Sequence, residues 1–406
     1  MVRIQALVPV PVSVVVPAPR PYRWRLLGSP DHPAAPALRA ATVPDAPPAT
    51  AVLLGTRLDA ADNSLLLEAA RQDGGRVAVL HRGAGGGALL RVAELENPRL
   101  STVVIELPER PLAPAVHAAV AAAGADQLAE DRYADGLRVR DDGGVTVTGW
   151  RPAAMAPALT RPPRPDRGTA VVTGGLGGLG IRVSRALAHR YGFGPVLILD
   201  TTPADRLPPA IAHHLNRLRD TGSVLVRRVD VTDTDQVDAA LAGTDGPPVS
   251  ALVHCAGILR GGPLRSTTVD DLLAVQAAKV AGLRNVLAAL DPVALRHLIV
   301  FGSITAEQPH HQLGCYALGN ELLRRAALCA ATGLPAAATV VAEWAIWSGA
   351  GMAHDMQGAV AQARRLGMVP VPVGPGTATL GSLLNHPNGP AHAARMLLIA
   401  GPAPLS

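Results

Sequence analysis

The sequence has few aromatic residues, few charges and no long uninterrupted apolar run. Phe, Tyr and Trp together make up 2% of the 406 residues, so the core must be built from Ala, Val and Leu. Charged residues make up 17% against 48% hydrophobic residues, which excludes a mostly disordered chain. The apolar stretch at 6–19 is broken by Pro9, Pro11, Pro17 and Pro19 and falls short of the ~20 residues of a membrane span. Neither a membrane protein nor a secretory signal is predicted.

Cysteine is scarce and follows no pattern. The three cysteines, Cys255, Cys315 and Cys329, show no C-x-x-C spacing and leave an odd number. A disulfide framework and a structural zinc site are therefore not predicted, and no metal is expected. This usage fits a reducing cytoplasm.

Lysine is almost absent, because Lys279 is the single lysine among 37 basic residues. The arginines are scattered and aromatics that could stack on bases are few, which argues against a nucleic-acid partner despite the net charge of +5. Where arginine supplies almost every positive charge, one retained lysine indicates a site that a guanidinium group cannot fill. A leftover of compositional bias is the alternative.

The second half of the chain alternates strand-like apolar runs with helical segments. The apolar runs lie at 169–175, 196–200, 224–233, 250–257, 297–303, 338–347 and 396–401. This pattern predicts an α/β fold whose parallel sheet is covered on both faces. We expect two Rossmann-like subdomains: a truncated structural one at 1–165 and a catalytic one with a doubly wound parallel sheet at 166–406. An exposed Pro/Arg-rich connection at 160–168 would join them.

The first half repeats the pattern more weakly. Strands are predicted at 50–57, 76–82 and 101–108, with a helix between the first two and a hairpin at 136–150 around Asp-Gly-Gly. Glycines at 83–87 follow a strand, but no helix is expected to begin there. We therefore predict a degenerate unit that supports the second half and binds no cofactor of its own.

The sequence motif TGGLGGLG lies between a predicted strand and a predicted helix. Glycines in this position permit a tight turn and let backbone N–H groups approach a pyrophosphate at the helix N-terminus. The predicted dinucleotide-binding residues are Thr173, Gly174, Gly175, Leu176, Gly177, Gly178, Leu179 and Gly180. Asp200 ends the next strand, where its carboxylate either binds the adenosine ribose hydroxyls or only stabilises a turn.

Ser303, Tyr316, Asn320 and Lys279 form the predicted catalytic group. Ser303 ends an apolar strand, where α/β sheets place ligands, and Tyr316 and Asn320 share one helix face. A tyrosine of pKa ~10 is a poor acid at neutral pH unless a cation stabilises its phenolate, and Lys279 is that cation. Two hydroxyls on one carbonyl oxygen could polarise it and protonate the developing alkoxide.

These residues carry a resemblance to a known family. The second half resembles a short-chain dehydrogenase/reductase, in the branch found as ketoreductase domains of type I polyketide synthases and fatty-acid synthases. In ordinary members of the superfamily the catalytic lysine follows the tyrosine by four residues; here Asn320 is at that position and Lys279 lies upstream. Further matching segments are DVTD, VHCAG, AAKVAG, FGSI, YALGN and WAIWSGAGMA, the last two resembling iterative, enediyne-type synthases most.

The resemblance implies reduction of a β-ketoacyl thioester to the β-hydroxyacyl thioester during polyketide biosynthesis, with NADPH as cofactor. The substrate would be held by phosphopantetheine on an acyl carrier protein, with the other synthase domains as further partners. Tyr316 would donate the proton, Ser303 would orient the carbonyl, and Lys279 and Asn320 would complete the relay. The resemblance further implies cofactor contacts beyond the glycine loop, at Asp200, Thr201, Asp230, Val231, Ala256, Gly257, Lys279 and Tyr316.

Some family features are missing. Asp200, Thr201 and Thr202 stand where family members usually carry an arginine for the 2′-phosphate, so NADH stays open beside NADPH. The markers of hydroxyl stereochemistry are absent, because ILRGG replaces one motif and Gln308 replaces a tryptophan. A free-standing reductase of a small diffusible ketone and a non-catalytic scaffold with a vestigial nucleotide site are the alternative functions.

Overall fold

The computed structural model describes residues 2–125, 136–155, 168–220, 224–243, 246–308, 310–352, 360, 364–365 and 369–402. The predicted connection at 160–168, apart from Gly168, and the boundary between 165 and 166 lie outside these residues. No helix among the described residues is both long enough and apolar enough to cross a membrane.

Among its described residues, the first half contributes seven strands and four helices. Its strands are β1 Val2–Val14, β2 Arg23–Gly28, β3 Pro48–Leu54, β4 Gly75–His81, β5 Leu100–Glu106, β6 Leu137–Val139 and β7 Val145–Ala153. Its helices are α1 Ala35–Ala40, α2 Ala60–Ala70, α3 Gly87–Glu96 and α4 Ala113–Gly124.

The second half contributes the remaining elements. Its strands are β8 Thr169–Thr173, β9 Val196–Asp200, β10 Val224–Arg228, β11 Val249–His254, β12 His297–Ser303, β13 Ala338–Trp344, β14 Trp347–Ser348, β15 Val371–Pro372 and β16 Ala394–Pro402. Its helices are α5 Gly180–His189, α6 Pro209–Arg219, α7 Thr234–Ala242, α8 Val269–Gln276, α9 Gly282–Ala288, α10 Gly314–Ala330 and α11 Val373–Leu384. A π-helical turn, Ala277–Ala281, joins α8 to α9.

Fourteen strands form one sheet in the order β10-β9-β8-β11-β12-β13-β16-β1-β7-β6-β5-β4-β3-β2. Every pair from β10 to β16 is parallel, and so is every pair from β6 to β2. Antiparallel pairs in the middle of the sheet join these two parallel blocks. The predicted α/β class with a large, mostly parallel sheet is confirmed, and so is the hairpin at 136–150.

The strand β1 is the main feature that the sequence pattern did not predict. It pairs with β16 over Val2–Leu7 and with β7 over Ala6–Val14, so beyond Leu7 it has a single neighbour. Pro9 and Pro11 lie in this singly paired stretch, two residues apart, and present their backbone nitrogens to the same side. A strand with one free side tolerates residues that lack an N–H donor.

The expectation that no helix begins after the glycines at 83–87 is wrong. Helix α3 begins at Gly87, directly after a loop in which Gly83, Gly85 and Gly86 have φ of 125°, 86° and 118°. These left-handed conformations are ones that glycine adopts at little cost, and they turn the chain from β4 into the helix. The first half therefore also has a glycine-rich strand–loop–helix unit.

One of the apolar clusters is shared between the halves. It combines β3, β4, α2 and α3 of the first half with Leu264, Leu272 and Val275 and with Cys315 and Leu318 at the start of α10. Burial of this shared apolar surface holds α10, which carries Tyr316, against the first half.

Candidate active site

The glycine loop packs tightly against the carboxyl end of the sheet. A Cβ on Gly180 would collide with the carbonyl oxygen of Gly174, and a Cβ on Gly174 would lie 2.9 Å from the Cα of Ala256. Glycine at both positions lets α5 begin against the loop and lets the loop touch the end of β11. The structure thus places the loop from Thr173 to Gly180 next to Ala256, and its binding of a dinucleotide stays a prediction.

The N-terminus of α5 fits an anionic ligand such as a pyrophosphate. Its N-cap residue Leu179 has no capping side chain, and its first turn carries no acidic residue. The positive end of the helix dipole lies at this terminus and favours an anion. The residues present therefore fit the dinucleotide that the motif predicts.

A chain of hydrogen bonds connects the glycine loop to the turn that carries Lys279. Burial lowers the pKa of His254 to about 3, so its imidazole is neutral. Its Nε2 lies 3.0 Å from the carbonyl oxygen of Lys279 and must donate to it, so Nδ1 accepts from the Thr173 hydroxyl at 2.8 Å. The Thr173 oxygen in turn accepts from the N–H of Ala256 at 3.2 Å.

His254 was not among the predicted site residues, although it lies in the VHCAG segment. The surrounding sequence predicted that a strand ends at this segment. It did not predict the side-chain hydrogen bonds of His254, because their partners are distant in the sequence.

Lys279 lies inside the molecule at the end of β11. The residue is 2% exposed, and burial lowers the pKa of its ammonium group to about 8. A Cβ on Gly257 would lie 3.0 Å from the Cε and Nζ of Lys279, so glycine makes the room that the lysine occupies. The π-helical turn around Lys279 departs from regular helix, as π-turns at functional sites often do.

Tyr316 lies next to this ammonium group. The Nζ of Lys279 is 5.4 Å from the centre of the Tyr316 ring. Burial raises the pKa of Tyr316, and side-chain hydrogen bonds with Asn320 and Ser303 lower it in part. Gly319, which contacts Val275, lets α10 approach the α8 helix that leads to Lys279. The predicted catalytic group of Lys279, Ser303, Tyr316 and Asn320 is therefore brought together.

Ser303 retains a hydrogen-bond donor and Asn320 retains a hydrogen-bond acceptor for a further partner. The Ser303 oxygen accepts from the N–H of Thr305 at 3.3 Å and lies 3.0 Å from the Thr305 hydroxyl, which leaves the serine proton for another acceptor. The Nδ2 of Asn320 donates to the backbone oxygen of Tyr316 at 2.7 Å. Its buried Oδ1 has no partner among the described residues.

Thr305 is a second residue that the sequence interpretation missed. The signal was a hydroxyl residue two positions after Ser303, a spacing typical of local turns with side-chain hydrogen bonds.

A buried group of four charged side chains fixes the chain behind Ser303. Glu343 on β13 accepts from Arg324 at 3.0 Å and from Arg395 at 2.6 Å, and Glu307 pairs with both arginines. Because Glu307 follows the turn after Ser303 and Arg324 lies on α10, the group ties that turn to the helix of Tyr316. Buried charges need such mutual pairing.

The other predicted cofactor residues lie around the ends of β9 and β10. Asp200 accepts from the N–H of Leu176 at 2.9 Å and from the N–H of Thr202 at 2.9 Å, so its carboxylate supports the glycine loop. Thr201 is exposed beside it. Asp230 is exposed and accepts from Thr232 at 2.8 Å.

Val231 differs from the others because its side chain faces the core. It is 6% exposed, and a Cβ on Gly282 would lie 2.5 Å from its Cγ2. Its predicted contact with adenine stays a prediction.

Comparisons with known proteins bear on the whole arrangement. Residues 168–349 match the family model of the KR domain. The chain is similar to polyketide synthase GfsA of Streptomyces halstedii, at 35% identity over 267 residues, 64% of this chain and 3% of that protein. It is also similar to erythronolide synthase EryA3 of Saccharopolyspora erythraea, at 32% identity over 279 residues, 67% of this chain and 8% of that protein. The chain thus spans a small part of these relatives.

Two solved ketoreductase structures share this architecture. PlmKR1, the ketoreductase from the first module of phoslactomycin biosynthesis in Streptomyces sp. HK803, superposes with a TM-score of 0.79 at 25% identity, covering 98% of this chain and 93% of that one. A C2-type ketoreductase from a modular polyketide synthase, 20% identical, shares the fold with a TM-score of 0.75 over 99% of this chain and 94% of that one.

Proposed function

Residues 168–349 belong to the KR domain family, and from this premise we propose that the chain reduces a β-ketoacyl thioester to the β-hydroxyacyl thioester in polyketide biosynthesis. As a KR domain the chain is a nicotinamide-dependent oxidoreductase. Its substrate is carried by phosphopantetheine on an acyl carrier protein. The observation that carries the proposal is the position of the buried Lys279, whose Nζ lies 5.4 Å from the centre of the Tyr316 ring.

In this proposal the side chains divide the work on the carbonyl oxygen. The nicotinamide, when bound, supplies a hydride to the β-carbon. Tyr316 donates its phenolic proton to the carbonyl oxygen, and Ser303 donates a hydrogen bond to the same oxygen. The ammonium of Lys279 favours the phenolate that is left. The free Oδ1 of Asn320 accepts from a water that returns a proton to Tyr316.

We propose NADPH as the cofactor, with NADH as the alternative. Both oxygens of Asp200 accept backbone N–H groups, so this carboxylate is turned toward the glycine loop. Arg228 is exposed and lies opposite Asp200 in the register of β10 and β9. An arginine at this place can bind a 2′-phosphate, which is the support for NADPH.

We also propose that residues 1–165 are a structural subdomain and residues 166–406 the catalytic one. The first-half helix α3 packs on α10 through the shared apolar cluster, which supports a bracing role. The proposed site of action is the cytoplasm, where the three free cysteines would stay reduced.

The function is tested by giving the purified chain a β-ketoacyl thioester of N-acetylcysteamine, with NADPH and with NADH in parallel. We expect β-hydroxyacyl thioester to form faster with NADPH. A small unactivated ketone serves as the comparison substrate, because faster reduction of it would favour a free-standing reductase. No turnover of either substrate, with nucleotide still bound, would favour a scaffold and contradict the proposal.

A further inference from the structure

The carboxylate of Glu321 occupies the N-terminus of α3 in the first half. Its Oε1 accepts from the N–H of Gly86 at 3.1 Å and its Oε2 accepts from the N–H of Ala88 at 2.9 Å. Gly85 leaves the room for it, since a Cβ there would lie 2.5 Å from Oε1. Glu321 is fully buried, and Arg325 lies 3.4 Å from the same oxygen. A side chain from the second half thus occupies the position where a nucleotide-binding helix would hold a phosphate.

Glu321 is the neighbour of Asn320 on α10. Successive residues of a helix point about 100° apart, so one side chain faces the first half while the other faces the catalytic group. Asn320 bonds the backbone of Tyr316 at 2.7 Å, one turn earlier on the same helix. Fixing the carboxylate of Glu321 therefore fixes the rotation of α10 about its axis, and with it the direction of Tyr316 and Asn320.

The other end of α3 contacts the loop that precedes α8 and the loop that precedes α10. Glu96, its last residue, accepts from the N–H of Leu264 at 2.8 Å and from the N–H of Gln312 at 2.9 Å. Gln312 lies two residues before Gly314, the first residue of α10, and has a φ of 64°. Helix α3 therefore holds the entry to α10 through Glu96 and the middle of α10 through the N–H groups of Gly86 and Ala88, which bind Glu321.

We propose that Glu321 is a positioning residue for the reduction, and that α3 of the first half orients the catalytic helix by binding its carboxylate. This inference rests on the proposed function. The N–H groups of α3 act on the reaction through the angle of α10 and touch neither substrate nor cofactor.

The positioning role of Glu321 is tested by removing its carboxylate and supplying acetate in solution. Glu321→Ala removes a CH2–COO− group, which acetate matches in size and charge. We expect kcat of the variant to fall about 10- to 100-fold, the scale on which misplaced catalytic groups act, with the Kd for nucleotide unchanged. Acetate should restore much of kcat, whereas chloride at equal ionic strength should not. Glu68→Ala, which removes an exposed carboxylate of the first half, should respond to neither salt.

A readout that needs no turnover accompanies the kinetics. Hydrogen exchange of the amides of Gly86 and Ala88 should be faster in Glu321→Ala and should slow again in acetate, because these two amides donate to the carboxylate. Glu321→Gln keeps an acceptor without the charge, and we expect its kcat to lie between wild type and Glu321→Ala.

The same contact can be perturbed from the first half. Gly85→Ala pushes against Glu321, so kcat should fall as in Glu321→Ala and the two changes should not add. Gly83→Ala is the matched control, because Gly83 also has a positive φ, but its Cβ would meet Thr56 at 3.4 Å.

The outcomes separate the two proposals. An inactive wild-type chain defeats the proposed function. An active wild type with full kcat in folded Glu321→Ala defeats the positioning role, as does a loss that acetate leaves unchanged while it restores amide protection.

Discussion

The two halves each contain a glycine-rich loop leading into a helix, and the two helix N-termini differ in what they bind. At α3 the N–H groups of Gly86 and Ala88 are taken by Glu321. At α5 no side chain caps the helix and no acidic residue lies in the first turn. In the proposals made above, one local geometry serves two purposes: α3 binds an internal carboxylate and orients α10, whereas α5 receives the anionic part of the nucleotide.

The expectation that the first half binds no cofactor stays a prediction. The position of Glu321 favours it, because a carboxylate already satisfies the N–H groups that a phosphate would need.

The largest effect is expected at Tyr316, which lies in the same half as the glycine loop and α5. Tyr316→Phe removes the proton donor and keeps the ring, so kcat should fall at least about 10²-fold. Nucleotide binding, measured by fluorescence titration, should be unchanged. Turnover retained in the variant would show that Tyr316 is not the proton donor.

A pair of glycine substitutions sharpens the contrast between the loops. Gly180→Ala places a Cβ against the carbonyl of Gly174. The Kd for nucleotide should therefore rise about 10-fold or more, which corresponds to a loss of at least about 1.4 kcal/mol of binding free energy. Gly85→Ala at the other loop should leave the nucleotide Kd unchanged and lower kcat. Calorimetric titration of both variants measures the Kd for nucleotide, and steady-state kinetics measure kcat. An equal weakening of nucleotide binding in the two variants would contradict the different roles of the two loops.

Lys279→Arg tests why the chain keeps one lysine. The guanidinium is planar and bulkier, and the lysine fills the space beside Gly257 so closely that a Cβ on Gly257 would lie 3.0 Å from Nζ. We expect kcat to fall about 10- to 100-fold although the charge is kept. Steady-state kinetics at fixed pH measure this, and full activity would leave the lone lysine without a catalytic explanation.

The smallest effect concerns stability against pH. The pKa of Lys279 falls from its ordinary value of 10.5 to about 8 in the folded chain, so above pH 8 the unfolded chain binds more protons. The free energy of unfolding should therefore rise between about pH 8 and pH 10, by up to about 3 kcal/mol.

Lys279→Met is the control for that experiment, since the rise should be absent from it. Denaturant unfolding at several pH values gives the comparison. An equal rise in both proteins would assign the effect to other groups.

The sequence carried much of the site because its chemistry lies in local motifs. TGGLGGLG, the lone Lys279 and the spacing of Ser303, Tyr316 and Asn320 predicted residues that the fold brings together. The α/β class followed from the alternation of apolar strands and helices. The glycine motif and the spacing of Ser303, Tyr316 and Asn320 are contained in short segments, and the lone lysine and the alternation are visible without knowing any contact in the fold.

What the sequence did not reveal depends on contacts between distant segments. The strand β1 pairs with β16, nearly the whole chain away, and its prolines hide the strand pattern. Helix α3 begins among glycines, which have poor helix propensity, and its N-terminus is completed by Glu321 from the other half. The roles of His254 and Thr305 likewise appear only when their hydrogen-bond partners are in place.

A single-turnover label experiment tests the account most directly. The chain is mixed with NADPH carrying deuterium at the transferable position and with a β-ketoacyl thioester, and bound nucleotide and product label are both counted. The account predicts one nucleotide per chain and one deuterium on the β-carbon for each nucleotide consumed. Two nucleotides per chain, or bound nucleotide with unlabelled thioester, would contradict it.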